Sequence, residues 1–399
     1  MELSVILEIG TSYTRGIVIQ PNENGSYKII AMAEAVNTGV KKSEIVNKDN
    51  TITSIKTALK SLSLMCGGDI QIRSVNLIYS GGNIDCEQIS GMQTLQSNNA
   101  VIEHSDIHNA LQNAKTTHLQ EDRFIVEDIL LDYMLNGTQR VDNPIGMTAQ
   151  SIHTNLIRLH VDKNRIENIL NTLEDCSLDY EKVYISGLCS ALGATTPQQR
   201  EEGVLVINFG GGSTTWAAYV GKNPRAVGGI PIGGDHITND IHCAFKTTAK
   251  ISETLKRQYG SATIISKHQL LEYQQDFTNK VIDQCDLSRV INARMDETLR
   301  IIHEYISRDN LIEAITNIVI CGKGALLNNL TTLTSNIFER PCKIANPPLP
   351  ANLIKPGANT TAYVPLIGAA ECCTKEAILE ERKKRSDNKI KKIFQKIFG

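Results

Sequence analysis

Three short apolar runs, far apart in the chain, each end in a glycine-rich turn. Leu3 to Ile9 leads into Gly10-Thr11-Ser12. Val204 to Ile207 leads into Asn208-Phe209-Gly210-Gly211-Gly212-Ser213, and Ile315 to Ile320 into Cys321-Gly322-Lys323-Gly324. A continuous apolar run bounded by turn residues reads as a strand buried on both faces. Glycine at the bend leaves no Cβ in the way, so backbone amides can approach an anion closely. The first two turns are each followed by another strand, Gly16 to Gln20 and Trp216 to Val220. Two strand-turn-strand units about 200 residues apart predict a duplicated domain with a cleft between the copies. A helix starting after Gly324 would offer its N-terminus to a nucleotide in that cleft. No Gly-x-x-x-x-Gly-Lys-Ser/Thr stretch occurs, which excludes a P-loop.

The remaining signals fit a soluble α/β chain. A third strand is expected over Tyr27 to Ala33 after a turn at Asn22 to Gly25, and a fourth over Val75 to Tyr79. Ile52, Ile55, Ala58, Leu59 and Leu62 recur at helical spacing, predicting a helix over Asn50 to Leu64 capped by Asp49 or Asn50. At 399 residues, 41% hydrophobic and 21% charged, the chain is long enough for several domains and ordinary in composition. No apolar run approaches the roughly 20 residues that span a bilayer, and the N-terminus lacks the pattern of a secretory signal. Ten cysteines without a Cys-x-x-Cys pair predict reduced thiols in a cytoplasm, with Cys86, Cys176, Cys189 and Cys321 in the core. A net charge of -2 implies no bulk affinity for nucleic acid.

That near-neutral total hides an asymmetry. Residues 382 to 399 hold eight Lys or Arg against one acid, which leaves the rest of the chain at -9. Ile390, Ile393, Phe394, Ile397 and Phe398 follow an i, i+3, i+4, i+7, i+8 pattern. At 100° per residue they occupy an arc of about 140°, with Lys389, Lys392 and Lys396 opposite. One reading is a last helix docked on the body. The other is an interfacial membrane helix, in which each Lys or Arg near anionic lipid contributes about 1 kcal/mol. The density of lysines favours the second.

Together the motifs resemble the FtsA family of actin-like bacterial cell-division proteins over nearly the whole chain. Leu7-Glu8-Ile9-Gly10-Thr11 resembles the family's first phosphate motif, and Gly210-Gly211-Gly212-Ser213 sits at the second. Tyr79-Ser80-Gly81 with Ile89-Ser90-Gly91-Met92, and Asn143 to Met147, resemble the segments bracketing the 1C subdomain. Ile230 to Asp235 with Thr238 to Ile241 matches the approach to subdomain 2B, and Gly322 to Ala325 the adenosine motif. The resemblance implies an α/β actin-like ATPase fold, the duplicated core of the actin, chaperone and sugar-kinase superfamily, with the 1C insertion and a C-terminal amphipathic helix. Subdomain 1A would take 1–80, 160–190 and 355–380, and 1C would take 81–159. Subdomain 2A would take 191–233 and 310–354, and 2B 234–309. A basic linker at 381–388 would lead to the helix at 389–399.

The resemblance also implies ligands and partners. ATP with Mg would be held by Gly10, Thr11, Ser12, Asn208, Gly210, Gly211, Gly212, Ser213, Gly234, Glu253, Lys256, Gly322, Gly324 and Ala325, with Glu8 and Asn208 toward the metal. Glu253 and Lys256, three apart on a helix, share one face; without the resemblance they read as a surface ion pair. Arg294 and Glu297 would receive the FtsZ C-terminal peptide on subdomain 2B. Lys389, Ile390, Lys392, Ile393, Phe394, Lys396, Ile397 and Phe398 would meet an anionic membrane. The expected role is a scaffold that self-associates into filaments and tethers the FtsZ ring. It would lie peripherally on the cytoplasmic side of the bacterial cytoplasmic membrane at the division site, recruiting later division proteins.

Departures from the family bear on the chemistry. The Asp residues usual in the second phosphate motif are Asn208 and Thr215, a lysine common after the first is Tyr13, and the adenosine motif's second glycine is Lys323. Asn lacks the charge that orients metal-bound water, and Thr is a poor general base. Very weak or absent hydrolysis is therefore expected, with no catalytic residue assigned. Lys323 reads three ways: pairing with a phosphate, crowding the adenosine, or solvated at a turn. A PilM-like pilus-assembly protein shares 1C but generally lacks such a tail. A sugar kinase needs the Asp that is missing here.

Overall fold

The computed structural model describes residues 2–68, 70–97, 100–308, 310–353 and 359–398, the side chains of 383–398 lying outside the description. Two five-stranded sheets form its core, and they share one topology. In the first lobe the strands Ser4–Ile9, Tyr13–Pro21 and Tyr27–Val36 form an antiparallel meander, and Ser74–Tyr79 then Asp179–Ile185 add in parallel beside the first. In the second lobe Val204–Phe209, Thr214–Tyr219 and Pro224–Ile230 form the meander. Asn317–Cys321 and Cys342–Ile344 add in parallel in the same order. This repeat is the duplication that the glycine turns predicted.

The three apolar runs form the expected buried strands, with Val204 to Ile207 and Ile318 to Ile320 fully buried. Several strands run further than their apolar stretches. Tyr13, Thr14 and Arg15 extend the second strand, and Glu34 lies near the end of the third. Hydrogen bonding to a neighbouring strand carries these polar residues past the point where alternation fails. The first helix spans Lys48–Met65 and is capped at Asn47, two or three residues earlier than predicted. The Asn47 side chain accepts from the Asn50 amide at 2.9 Å.

Two helices lie between the sheets. Ser186–Ala194 packs on the second lobe's sheet and Val364–Phe398 begins against the first lobe's. They cross so closely that a Cβ on Gly368 would lie 1.8 Å from the Cys189 carbonyl oxygen, and one on Gly193 would lie 2.2 Å from that of Val364. The long helix continues without a break through 381–388, in place of the linker expected there. No Gly or Pro lies between Gly368 and Gly399, and the Lys and Arg run favours helix.

Two smaller modules are inserted. In the first lobe a four-stranded sheet, ordered Gln139–Val141, Arg123–Leu135, Ser151–Asp162, Asp85–Thr94, carries the helix His104–Lys115 on one face. Asn143 to Met147 is a turn ahead of that sheet's strand Ser151–Asp162, which leads the chain out. In the second lobe the insert consists of the helices Gly234–Phe245, Ala249–Tyr259 and Gln284–Ser307 and a hairpin of Leu270–Gln275 and Thr278–Asp283. No disulfide joins the ten cysteines among the described residues; Cys189 and Cys321 are buried as expected, while Cys86 and Cys176 are half-buried.

Candidate functional site

The two hairpin turns that open the lobes have the same geometry. Ile9 pairs with Thr14 and Phe209 with Thr214. Within the turns the Gly10 amide donates to the Tyr13 carbonyl at 3.0 Å, and Gly210 to Ser213 at 2.9 Å. The turns meet face to face across the interlobe gap. A Cβ on Gly212 would lie 2.2 Å from Thr11 Oγ1, and one on Gly211 would lie 2.5 Å from Ser12 Oγ. A Cβ on Gly212 would also meet the Ser43 amide nitrogen at 2.9 Å, so this turn leaves little room for a side chain. The carbonyls of the second turn are occupied: Gly234 donates to Gly210 at 3.0 Å and Asp235 to Gly211 at 2.8 Å. The amides of Thr11, Ser12, Gly211 and Gly212 have no partner among the described residues.

Between the turns lies a cleft of about 660 Å³. The residues predicted to bind nucleotide line it: Gly10, Thr11, Ser12, Asn208, Gly210 to Ser213, Gly234, Glu253, Lys256, Gly322 and Gly324, together with Glu8. Ala325 is the exception. It is fully buried in the second lobe's core, and Leu326, Leu327 and Asn328 take the wall instead. The expected helix start is also displaced. Lys323–Leu326 forms a single 3-10 turn, and the following α-helix begins only at Leu330.

The pairing of Glu253 with Lys256 is part of a larger cluster. Lys256 Nζ lies 2.6 Å from Glu253 and donates to the Gly234 carbonyl at 2.9 Å and to Thr238 at 2.8 Å. Glu253 also accepts from Arg257 and Thr238. Burial pushes the Glu253 pKa up, but the Lys256 charge and these hydrogen bonds outweigh it and hold the carboxyl below its ordinary 4.5. Glu8 behaves oppositely. Its burial raises the pKa, only partly offset by the Arg15 charge 3.7 Å away and by a hydrogen bond from Ser80.

At the positions where carboxylates were missed in the sequence, Asn208 donates to Ser186 Oγ at 3.0 Å, and Thr215 Oγ1 is buried on the cleft wall without a partner. An orphaned buried hydroxyl there suits an ordered water or a ligand oxygen. Among the described residues no group of three or more His, Cys, Asp or Glu could hold a metal ion. A Mg ion carried on a phosphate chain needs only one or two protein carboxylates, and the cleft wall carries Glu8, Glu34, Asp235 and Glu253.

Three placements were not legible in the sequence. Arg294 lies on the cleft wall rather than standing free: its guanidinium is bidentate to Asp240 at 2.6 and 3.1 Å, with Glu297 on its other nitrogen. Tyr13 faces the second lobe, close enough to Arg257 to help raise that guanidinium's pKa. Lys323 sits 3.3 Å over the Tyr13 ring and 3.3 Å from Glu34, so it is not a solvated turn lysine. The predicted membrane residues Lys389 to Phe398 have side chains outside the described residues. No helix among the described residues is long and apolar enough to cross a membrane.

Comparison with known proteins gives concordant results. The family model "Cell division protein FtsA" matches residues 205–368, and "SHS2 domain inserted in FTSA" matches 81–159, together more than half of the chain. Cell division protein FtsA of Buchnera aphidicola subsp. Schizaphis graminum is 28% identical over 99% of this chain and 96% of its own. Its Escherichia coli K12 counterpart is 26% identical over 87% and 84%. Among solved structures, the PilM-PilN type IV pilus biogenesis complex aligns with a TM-score of 0.67 at 14% identity, over 93% of this chain and 98% of that one. MreB5 of Spiroplasma citri bound to ADP gives 0.56 at 14%, over 97% and 99%. These structural likenesses show the actin-like fold.

Proposed function

This chain belongs to the FtsA family of cell-division proteins, and from that premise we propose that it is an ATP-binding scaffold that tethers the FtsZ ring to the cytoplasmic membrane. The observation that carries the nucleotide half is the pair of facing glycine turns, whose four unpartnered amides belong to residues lining one cleft. MreB5, of the same fold, is known with ADP bound. In this chain the turn amides would hold the phosphates and Glu8 would face their Mg ion. Lys256 with Glu253 would flank the nucleoside. Mg supplies charge neutralisation of the phosphates when bound. Asn208 and Thr215 offer no carboxylate to activate water, so turnover stays far below an ordinary enzyme rate of about 1 per second. Calorimetry with ATP and magnesium followed by phosphate release checks both parts. No binding at millimolar ATP defeats the first, and rapid release defeats the second.

The tail carries the membrane half. Five apolar side chains would each gain at most about 1.5–3 kcal/mol on full burial, and an interfacial helix buries them only in part. One copy therefore attaches weakly, and several on a filament attach firmly by rebinding at high effective concentration. Removing Asn388 to Gly399 should leave a folded chain that no longer floats with anionic vesicles, and high salt should weaken flotation of the intact chain. Unfolding of the truncated chain would instead make the tail a docked helix.

The FtsZ peptide is assigned to the second lobe's insert, where Arg294 and Glu297 share a helical face. Because Arg294 is held by Asp240 on the cleft wall, Arg294→Glu disturbs the cleft as well. Glu297, about half-exposed, is the cleaner probe: Glu297→Gln removes its charge without setting a cation beside Arg294, and should change FtsZ peptide affinity in fluorescence anisotropy with little change in ATP affinity. Unchanged peptide affinity would move the site elsewhere.

A further inference from the structure

A second-lobe cation, Lys323, crosses the cleft into the first lobe. Lys323 Nζ lies over the face of Tyr13 and against Glu34, both first-lobe residues. Glu34 also accepts from Arg15 Nε at 3.2 Å, and Arg15 in turn faces Glu8 at 3.7 Å. Acids and bases thus alternate along a row, Glu8, Arg15, Glu34, Lys323, that runs from buried first-lobe residues to the second lobe. Every member of the row lines the cleft, as does Tyr13.

The row is unevenly held. Arg15 is nearly buried between two carboxylates, whereas Lys323 and Glu34 are each about a third exposed. A part-exposed ion pair of this kind contributes little. If Lys323 leaves, Glu34 keeps Arg15 and is not left with an uncompensated charge. Lys323 is also an uncomfortable cation: burial, and then repulsion from Arg15, lower its pKa, with Glu34 opposing. A nearby anion of higher charge would relieve it. The unpartnered amides of Thr11 and Ser12, adjacent to Tyr13, mark where such an anion would sit.

We propose that Lys323 is a two-position cation, docked on Glu34 and Tyr13 in the free cleft and transferred to the phosphate chain when a nucleotide enters. This rests on the nucleotide reading above and adds to it a switch particular to this chain. The free cleft is latched by Lys323, and phosphate binding undoes the latch by competing with Glu34. Adenosine, which lacks phosphates, leaves the latch in place.

The test is a titration calorimetry series on the full chain with magnesium, using ATP and adenosine as probes. Lys323→Met should weaken ATP about tenfold or more, the scale of a lost charge-assisted hydrogen bond, with a much smaller effect on adenosine. Lys323→Arg should restore ATP binding to within a few-fold. Glu34→Gln should tighten ATP by about threefold, the scale of a part-exposed ion pair, and this gain should vanish in the Lys323→Met background. Four results overturn the inference while nucleotide binding stands. They are Glu34→Gln leaving ATP unchanged or weaker, the same gain persisting without Lys323, failure of Lys323→Arg to restore ATP, or adenosine weakened by Lys323→Met as much as ATP. Failure of the unaltered chain to bind ATP overturns the inference and the nucleotide reading together.

Discussion

Glu253 shows how a residue's role depends on what surrounds it. Its pKa is held below 4.5 in the fold, so its contribution to stability is complete above about 4.5. That contribution fades as the pH falls through the depressed folded value. Glu253→Gln should lower the melting temperature at pH 7, and the gap from the unaltered chain should close as the pH is taken below 4.5. A gap that stayed constant down to pH 3 would remove the charge from the explanation. Helical spacing was enough to read the Glu253–Lys256 pair, because both partners lie on one turn. The Lys323–Tyr13 contact was not legible. It joins positions 310 residues apart through two turns whose approach only the folded lobes fix. Arg294 was half legible: the sequence shows its neighbour Glu297, but Asp240 reaches it from another helix.

At the scale of elements, the strands with continuous apolar runs were legible and their polar ends were not. Those ends supply Tyr13, Arg15 and Glu34 to the cleft wall. Turns were legible as glycine, but the reason for the glycine lay in the opposite lobe. Gly212→Ala would drive a Cβ into Thr11 Oγ1 and force the two turns apart. ATP affinity should fall at least tenfold in calorimetry, and the melting temperature should fall as well, since Gly212 is buried and its Cβ would also meet the Ser43 backbone. Gly368→Ala acts inside the helix crossing, where backbone faces backbone. It should cost about 1–3 kcal/mol, the range for overpacking, measured as a lowered urea midpoint with unchanged slope. A neutral result would mean that the helices separate easily, contrary to their close contact.

For the whole molecule, the repeated order of the two sheets makes the cleft a consequence of duplication: each copy ends its first strand at the same gap. The sequence reached this through turns at matching offsets, although only the folded chain shows that Gly193 and Gly368 join the copies. The helix that passes this joint is 35 residues long. At about 1.5 Å per residue it extends some 50 Å. Gly368 is the fifth of those residues, so nearly all of that length lies beyond the crossing. A stiff rod fixed near one end is a lever. A tilt at the crossing displaces the far tip by roughly 0.8 Å for each degree, on the same helical rise. A change of a few degrees between the lobes would therefore swing the C-terminal end through several ångströms, magnifying at the chain's end what a ligand does in the cleft.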